Sequence, residues 1–210
     1  MEKFRSAAPI RRRVPTYNPT GENWGQHKSD LKADFNSRCG YCDSKDEFRH
    51  TYFEVDHFVP KEFIKRSMTI TLTHYENLVY SCKFCNNGKS SKWPSQHDKV
   101  FNDGTKGFVD PCDSTYESHF YRTPEGGIMW RTELGRWMHE KAFKFDERQA
   151  AIKLLWNLDR IDNLIKRLST HLNNLHIAST QYATLKVKIG DLAYSYHRYH
   201  SELIAYYNSI

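Results

Sequence analysis

A chain of 210 residues, 39% of them hydrophobic and 14% aromatic, can bury the core of one medium domain or two small ones. No run approaches the ~18–20 apolar residues of a membrane span, and the polar start MEKFRSAAPIRRRVP lacks the apolar centre of a secretory signal, so a cytoplasmic protein without membrane contact is expected. The formal net charge of +6 suits nucleic acid or another polyanion as partner.

Residues 1–25 hold Pro9, Pro15, Pro19, Gly21, Gly25 and the run Arg11-Arg12-Arg13, and read as an irregular basic arm that tracks phosphates, lies on a partner or is simply solvated. A short helix is expected within 26–38, capped by Ser29 or Asp30, with Leu31 and Phe35 on one face. Cys39-Gly40-Tyr41-Cys42 makes a tight knuckle. The alternation from Tyr52 to Phe58 predicts a strand that Pro60 ends, and 61–68 reads as an amphipathic helix. Asn77–Cys82 is a second short strand, Cys82-Lys83-Phe84-Cys85 a second knuckle, and Asn86–Lys92 the start of a helix that Pro94 cuts off. The order strand, strand, helix makes 26–97 one module.

Residues 98–145 are irregular apart from a β-hairpin over 119–131, turned at Pro124-Glu125-Gly126-Gly127. From Asp146, with Gln149 forming a capping box, apolar residues recur at steps of three and four: Leu154, Leu158, Ile161, Ile165, Leu168, Leu172 and Leu175. After Ser179-Thr180 the spacing resumes from Tyr182 to Ile210. Region 146–210 is therefore a helical hairpin or one long helix that self-associates. A single helix of this length would run ~90 Å, which favours the hairpin.

Four of the five cysteines form two CxxC pairs, Cys39/Cys42 and Cys82/Cys85. In a cytoplasmic chain that pattern indicates a metal site rather than disulfides. Four thiolates complete a tetrahedral shell and leave no position for substrate, so the metal expected is a structural Zn2+. Cys112 is left over as a buried small hydrophobe.

A histidine on an apolar strand is ordinarily a core residue. His57 differs: Asp56 precedes it, Asn77 heads the next strand, and an Asn-rich helix start with Lys89 follows the second knuckle. Between Lys61 and Lys92 six basic residues stand against two acids, a local excess suited to phosphate. A neutral His near pH 7 can take a proton from water, and a hard cation held by oxygen ligands would be Mg2+ or Mn2+. Lys61, Lys89 and Lys92 are candidates for contact with nucleic-acid phosphates.

EVDHFVP, ENLVYSCKFCNNGK and the framing CxxC pairs resemble the HNH endonuclease superfamily, the ββα-metal nucleases, in their four-cysteine zinc-stapled form. The resemblance implies an α+β fold, a ββα-metal module followed by a mostly α-helical C-terminal region. It implies a metal-dependent DNA endonuclease in which His57 is the general base and Asp56 a ligand of the catalytic cation. Asn77 orients the base, and Asn86, or its neighbour Asn87, is the second ligand from the helix. The Gly-Gly common after the Pro is replaced by the longer polar segment 61–76. One metal and one base imply nicking by a monomer. A small HNH chain with a helical C-terminus also resembles the nuclease subunits of Septu-type anti-phage systems, which work with an ATPase subunit. The competing reading is a zinc-stabilised module that binds nucleic acid or a partner through an inactive site.

Overall fold

The computed structural model describes residues 2–48, 51–66 and 69–209. The chain divides into two compact units: Met1–Pro124 with Ile128–Gln149, and Glu125–Gly127 with Ala150–Ile210. The expected arm over 1–25, module over 26–97 and irregular segment over 98–145 all fall within the first unit, except for three residues of the hairpin turn.

The first unit is built on an antiparallel pair. β1 (Phe53–His57) pairs with β2 (Leu78–Cys82) in the register Phe53↔Cys82 to His57↔Leu78. Apolar cross-strand pairs such as Val55 opposite Tyr80 hold that register. All five residues of β2 are buried, because helices contact the hairpin: α1 (Lys28–Asp34) and α3 (Lys83–Lys89). α1 follows a 3-10 turn, Trp24–His27, and inserts Leu31 into the core with Phe35 just beyond its end. Neither expected residue caps it. His27 holds the cap position without a side-chain bond, and Asp30 instead accepts from Thr16 and Arg12.

α3 begins at Lys83, directly after β2, three residues earlier than the sequence indicated. The second CxxC thus spans a strand end and a first helical turn, not a free knuckle. Gly88 lets this helix lie on a π-helical turn, Met138–Ala142, since a Cβ there would meet the Ala142 carbonyl oxygen at 2.8 Å. α2 covers only Lys61–Ile64; Ser67 and Met68 of the expected helix lie outside the described residues. The second hairpin forms as expected, β3 (Phe120–Arg122) with β4 (Ile128–Trp130), followed by α4 (Glu133–Trp137), which Thr132 caps through the Gly135 N–H.

Aromatic rings supply much of this unit's core. Tyr41 stacks on Phe143 at 4.6 Å, Phe143 meets Phe145 and Phe108, and Phe108 stacks on Trp93, which meets Phe58 edge-on at 5.4 Å. The series joins the first knuckle to the residue after His57.

The basic arm is a set of internal clamps. Arg5 is buried, donates to the Gly40 and Pro111 carbonyls, and pairs with Glu117. Arg11 donates to the Leu78 carbonyl and both oxygens of Asp110, and Arg12 pairs with Asp30 and Asp34. These guanidinium groups are committed to the fold, which corrects the expectation of a phosphate-tracking or solvated tail.

In the second unit, α5 (Gln149–Leu172) and α6 (Thr180–Asn208) are separate helices. The chain leaves helical geometry over 173–179, and the Ser179 hydroxyl accepts from the Tyr182 N–H to start α6. This excludes the single long helix. The apolar stripe is half-buried along most of both helices, and burial is strongest at Ala151, Ile152, Leu155, Leu158 and Leu203. Ile210, the last residue of the stripe, lies outside the described residues. The expected capping box is absent. Residues 146–148 form a 3-10 turn, and the Gln149 side chain donates to the Ile128 carbonyl, the partner of His139. Gly126 is required at the hairpin turn, because its φ is +91° and a Cβ would stand 2.0 Å from the Trp156 ring.

Candidate active site and metal centre

The four thiols of Cys39, Cys42, Cys82 and Cys85 are buried and lie within 4.8 Å of one another. Cys42 Sγ and Cys82 Sγ are 3.8 Å apart. A tetrahedron with Zn–S bonds of about 2.3 Å has edges of about 3.8 Å, so the cluster fits zinc. Burial pushes the Cys39 and Cys85 thiols up, so thiolates here require a cation. Arg148 supplies further positive charge, with Nη2 donating to Cys85 Sγ at 3.4 Å and its guanidinium over the Phe84 ring. Burial opposes the Arg148 charge, but the surrounding sulfurs outweigh it and raise its pKa. Among the described residues, these cysteines are the one group of three or more His, Cys, Asp or Glu placed to share a metal. Cys112 is half-buried and stands apart.

The second site lies at the C-terminal end of β1. A cleft of about 370 Å3 is lined by Asp56, His57, Lys61, Glu62, Asn86 and Lys89 together with Val55, Pro60, Ser90 and Ser91. His57 Nε2 is 2.8 Å from the Leu72 carbonyl oxygen. A carbonyl only accepts, so Nε2 carries the proton, and in the neutral ring Nδ1 is the basic nitrogen. Burial, the strongest influence, pushes the His57 pKa below its ordinary value; Lys61 and Lys89 push the same way. The ring is therefore neutral at pH 7. Trp24 meets it edge-on at 5.0 Å, and the Lys61 ammonium sits 3.8 Å from the centroid of that same Trp24 ring.

Asn77 is buried at the head of β2. Its Oδ1 accepts from the Val59 N–H at 2.9 Å and its Nδ2 donates to the Val59 carbonyl at 3.2 Å, while its own carbonyl accepts from the Phe58 N–H. It therefore clips the backbone immediately after His57. Asn86 lines the cleft and donates through Nδ2 to Glu54 Oε2 at 2.8 Å, an orientation that leaves its amide oxygen for another partner. Asn87 is exposed and is not among the lining residues.

Asp56 is more committed than its place in the sequence indicated. Oδ2 accepts from the Tyr41 hydroxyl at 2.6 Å and lies 3.2 Å from the Lys89 ammonium. Lys89 is 1% exposed and also donates to the His57 carbonyl at 2.7 Å. Burial pushes its pKa down, and Asp56 works against that. Lys89 thus binds the two ends of the site together, which corrects its expected role as a surface phosphate contact. The Lys92 ammonium donates to the Gly88 carbonyl, and Lys92 is not among the residues that line the cleft. Of the three lysines, Lys61 reaches the cleft lip.

Sequence reasoning missed four contributors: Trp24, Tyr41, Glu54 and Leu72. Tyr41 and Glu54 lay within motifs already singled out. Trp24 sat in a segment read as arm, and Leu72 acts through its backbone, which no residue type announces.

Two antiparallel strands leading into a helix, a four-cysteine cluster and a cleft holding Asp-His and Asn make up a ββα module, and residues 39–92 match the family described as HNH endonuclease. One curated relative is Septu protein PtuB of Bacillus thuringiensis, 32% identical over 85 residues, a match covering 34% of this chain and 32% of that protein. The chain thus spans about a third of the length of the curated relative it matches. No solved structure matches. Among the described residues, no helix is long and apolar enough to cross a membrane.

Proposed function

We propose that the chain is a metal-dependent DNA endonuclease that hydrolyses phosphodiester bonds at the Asp56–His57 cleft. The observation that carries this is the His57 hydrogen bond to the Leu72 carbonyl, which holds the proton on Nε2 and keeps Nδ1 free to accept one from water. Asn77 fixes the backbone after the base, and Trp24 fixes its ring. Asp56 and Asn86 offer oxygen donors in one cleft, a set that suits Mg2+ or Mn2+. Such a cation, when bound, neutralises phosphate charge and stabilises the leaving oxygen. Lys61 at the lip attracts a flanking phosphate. With one base, a monomer nicks one strand.

The likeness to Septu protein PtuB supports a role as effector of an anti-phage system, acting in the cytoplasm with a regulatory partner such as an ATPase subunit. The reading as an inactive binding module draws on one observation, the Lys89 ammonium beside the carboxylate a cation would use. Plasmid nicking separates the two. Mg2+- or Mn2+-dependent conversion of supercoiled to open-circular DNA, lost in His57→Ala with zinc retained, supports the nuclease. Absence of cleavage by the zinc-loaded chain, alone and with its partner, supports the binding module.

A further inference from the structure

A second groove lies at the other end of β1. It has a volume of about 770 Å3 and is lined by Lys28, Ser29, Lys32, Asp46, Thr51, Tyr52, Phe53 and Tyr80. Tyr52 is the notable wall: a large aromatic residue 79% exposed, directly before a buried strand residue. Its backbone is pinned, since the Lys83 N–H donates to the Tyr52 carbonyl at 2.9 Å. Asp46 is the one acid in the wall, and it is already engaged by the Lys32 ammonium at 2.8 Å and the Tyr80 hydroxyl at 2.6 Å. Lys28 is left as uncompensated positive charge on that wall.

The groove and the cleft flank opposite ends of β1. Lys28 and Lys32 form a stripe one turn apart along α1, and Trp24 opens the 3-10 turn that leads into it. The turn and α1 both contact β1. Trp24 stands against His57 at one end of the strand, and Lys32 stands with Phe53 at the other. The turn and α1 therefore run antiparallel to β1 from the candidate base to the exposed tyrosine.

We propose that this groove binds an unpaired stretch of the substrate strand leading away from the cleft, with a base stacked on Tyr52 and a phosphate held by Lys28. The assignment rests on the reading of the cleft as a phosphodiester site. Positive charge beside an exposed aromatic platform is the chemistry that holds single strands, because every base has a face to stack and paired bases do not present it.

The test uses the full chain carrying His57→Ala, with binding of a fluorescein-labelled single-stranded oligonucleotide and of a blunt duplex read by anisotropy. Tyr52→Ala is expected to weaken single-strand binding about 5- to 100-fold and leave duplex binding unchanged, whereas Tyr52→Phe keeps the affinity. Lys28→Ala should lower the slope of log affinity against log salt by about 0.7. Zinc content and circular dichroism verify each variant's fold. Single-strand binding that is equal in the parent and Tyr52→Ala, or absent from the folded parent, overturns the proposal. Nicking by the chain with His57 intact is scored separately. Nicking without Tyr52-dependent binding removes the groove and leaves the nuclease; Tyr52-dependent binding without nicking removes the nuclease and leaves a strand-binding site.

Discussion

The Lys89 ammonium lies 3.2 Å from the Asp56 carboxylate, and both side chains are buried. Removing one member of such a pair strands the other charge in the interior, which typically costs ~3–5 kcal/mol. Lys89→Met is therefore expected to lower unfolding free energy by about that amount, read by urea denaturation. A loss under about 1 kcal/mol, the worth of an exposed ion pair, would place Lys89 back at the surface.

His57 tests the chemistry rather than the fold. A general base contributes about 10²–10⁴ in rate, so His57→Ala should lower nicking by that factor while bound zinc and the cooperative fold are retained. Because burial depresses its pKa, the neutral base persists into mildly acidic solution and activity is lost as pH falls through that lowered value. A rate that declines already above pH 7 would contradict the depressed value.

Zinc removal should unfold the first unit. Metal on four thiolates is worth ~10–16 kcal/mol, more than the ~5–15 kcal/mol that holds most domains together. A strong chelator, or Cys85→Ser, should abolish the cooperative thermal transition of that unit. Survival of the transition without bound zinc would show that the aromatic core suffices alone.

Asn77→Ala leaves the Val59 N–H and carbonyl buried and without their side-chain partner. Each such group costs ~1–3 kcal/mol, so the variant should lose about 2–6 kcal/mol by denaturant unfolding, together with activity, as the segment after His57 loosens. Full activity in Asn77→Ala would sink the positioning role.

Stability should fall on acidification below about pH 6.5, the ordinary His value. Burial holds the pKa of His57, His119 and His139 below that value. In the window between the ordinary and the lowered values the unfolded chain binds more protons, so stability is full above the window and declines through it. Thermal scans from pH 7.5 to 5 should show this fall, and His139→Gln should flatten it. A melting temperature constant over that range would remove these groups as the cause.

The zinc cluster was readable from spacing because CxxC pairs carry their geometry with them. The β1–β2 pair was readable because alternation and Pro60 bound it closely. Asn86 and Asn87 could not be told apart in sequence; a helix starting at Lys83 turns the first into the cleft and leaves the second outside its lining. Lys89 was misread for the same reason. Its helix begins earlier than the Asn run implies, so its side chain points inward. The arm was misread because Arg11 finds Asp110, 99 residues on, and Arg12 finds Asp30 and Asp34, 18 and 22 residues on, and such non-local pairing leaves no local mark.

Arg148 against Cys85 Sγ has a chemical consequence. A zinc-bound sulfur that also accepts from a guanidinium holds less electron density for alkylating agents or peroxide, and the stacked Phe84 ring narrows their approach. With zinc bound, the one cluster sulfur that lies on a helix would be shielded by a residue sixty-three positions away along the chain.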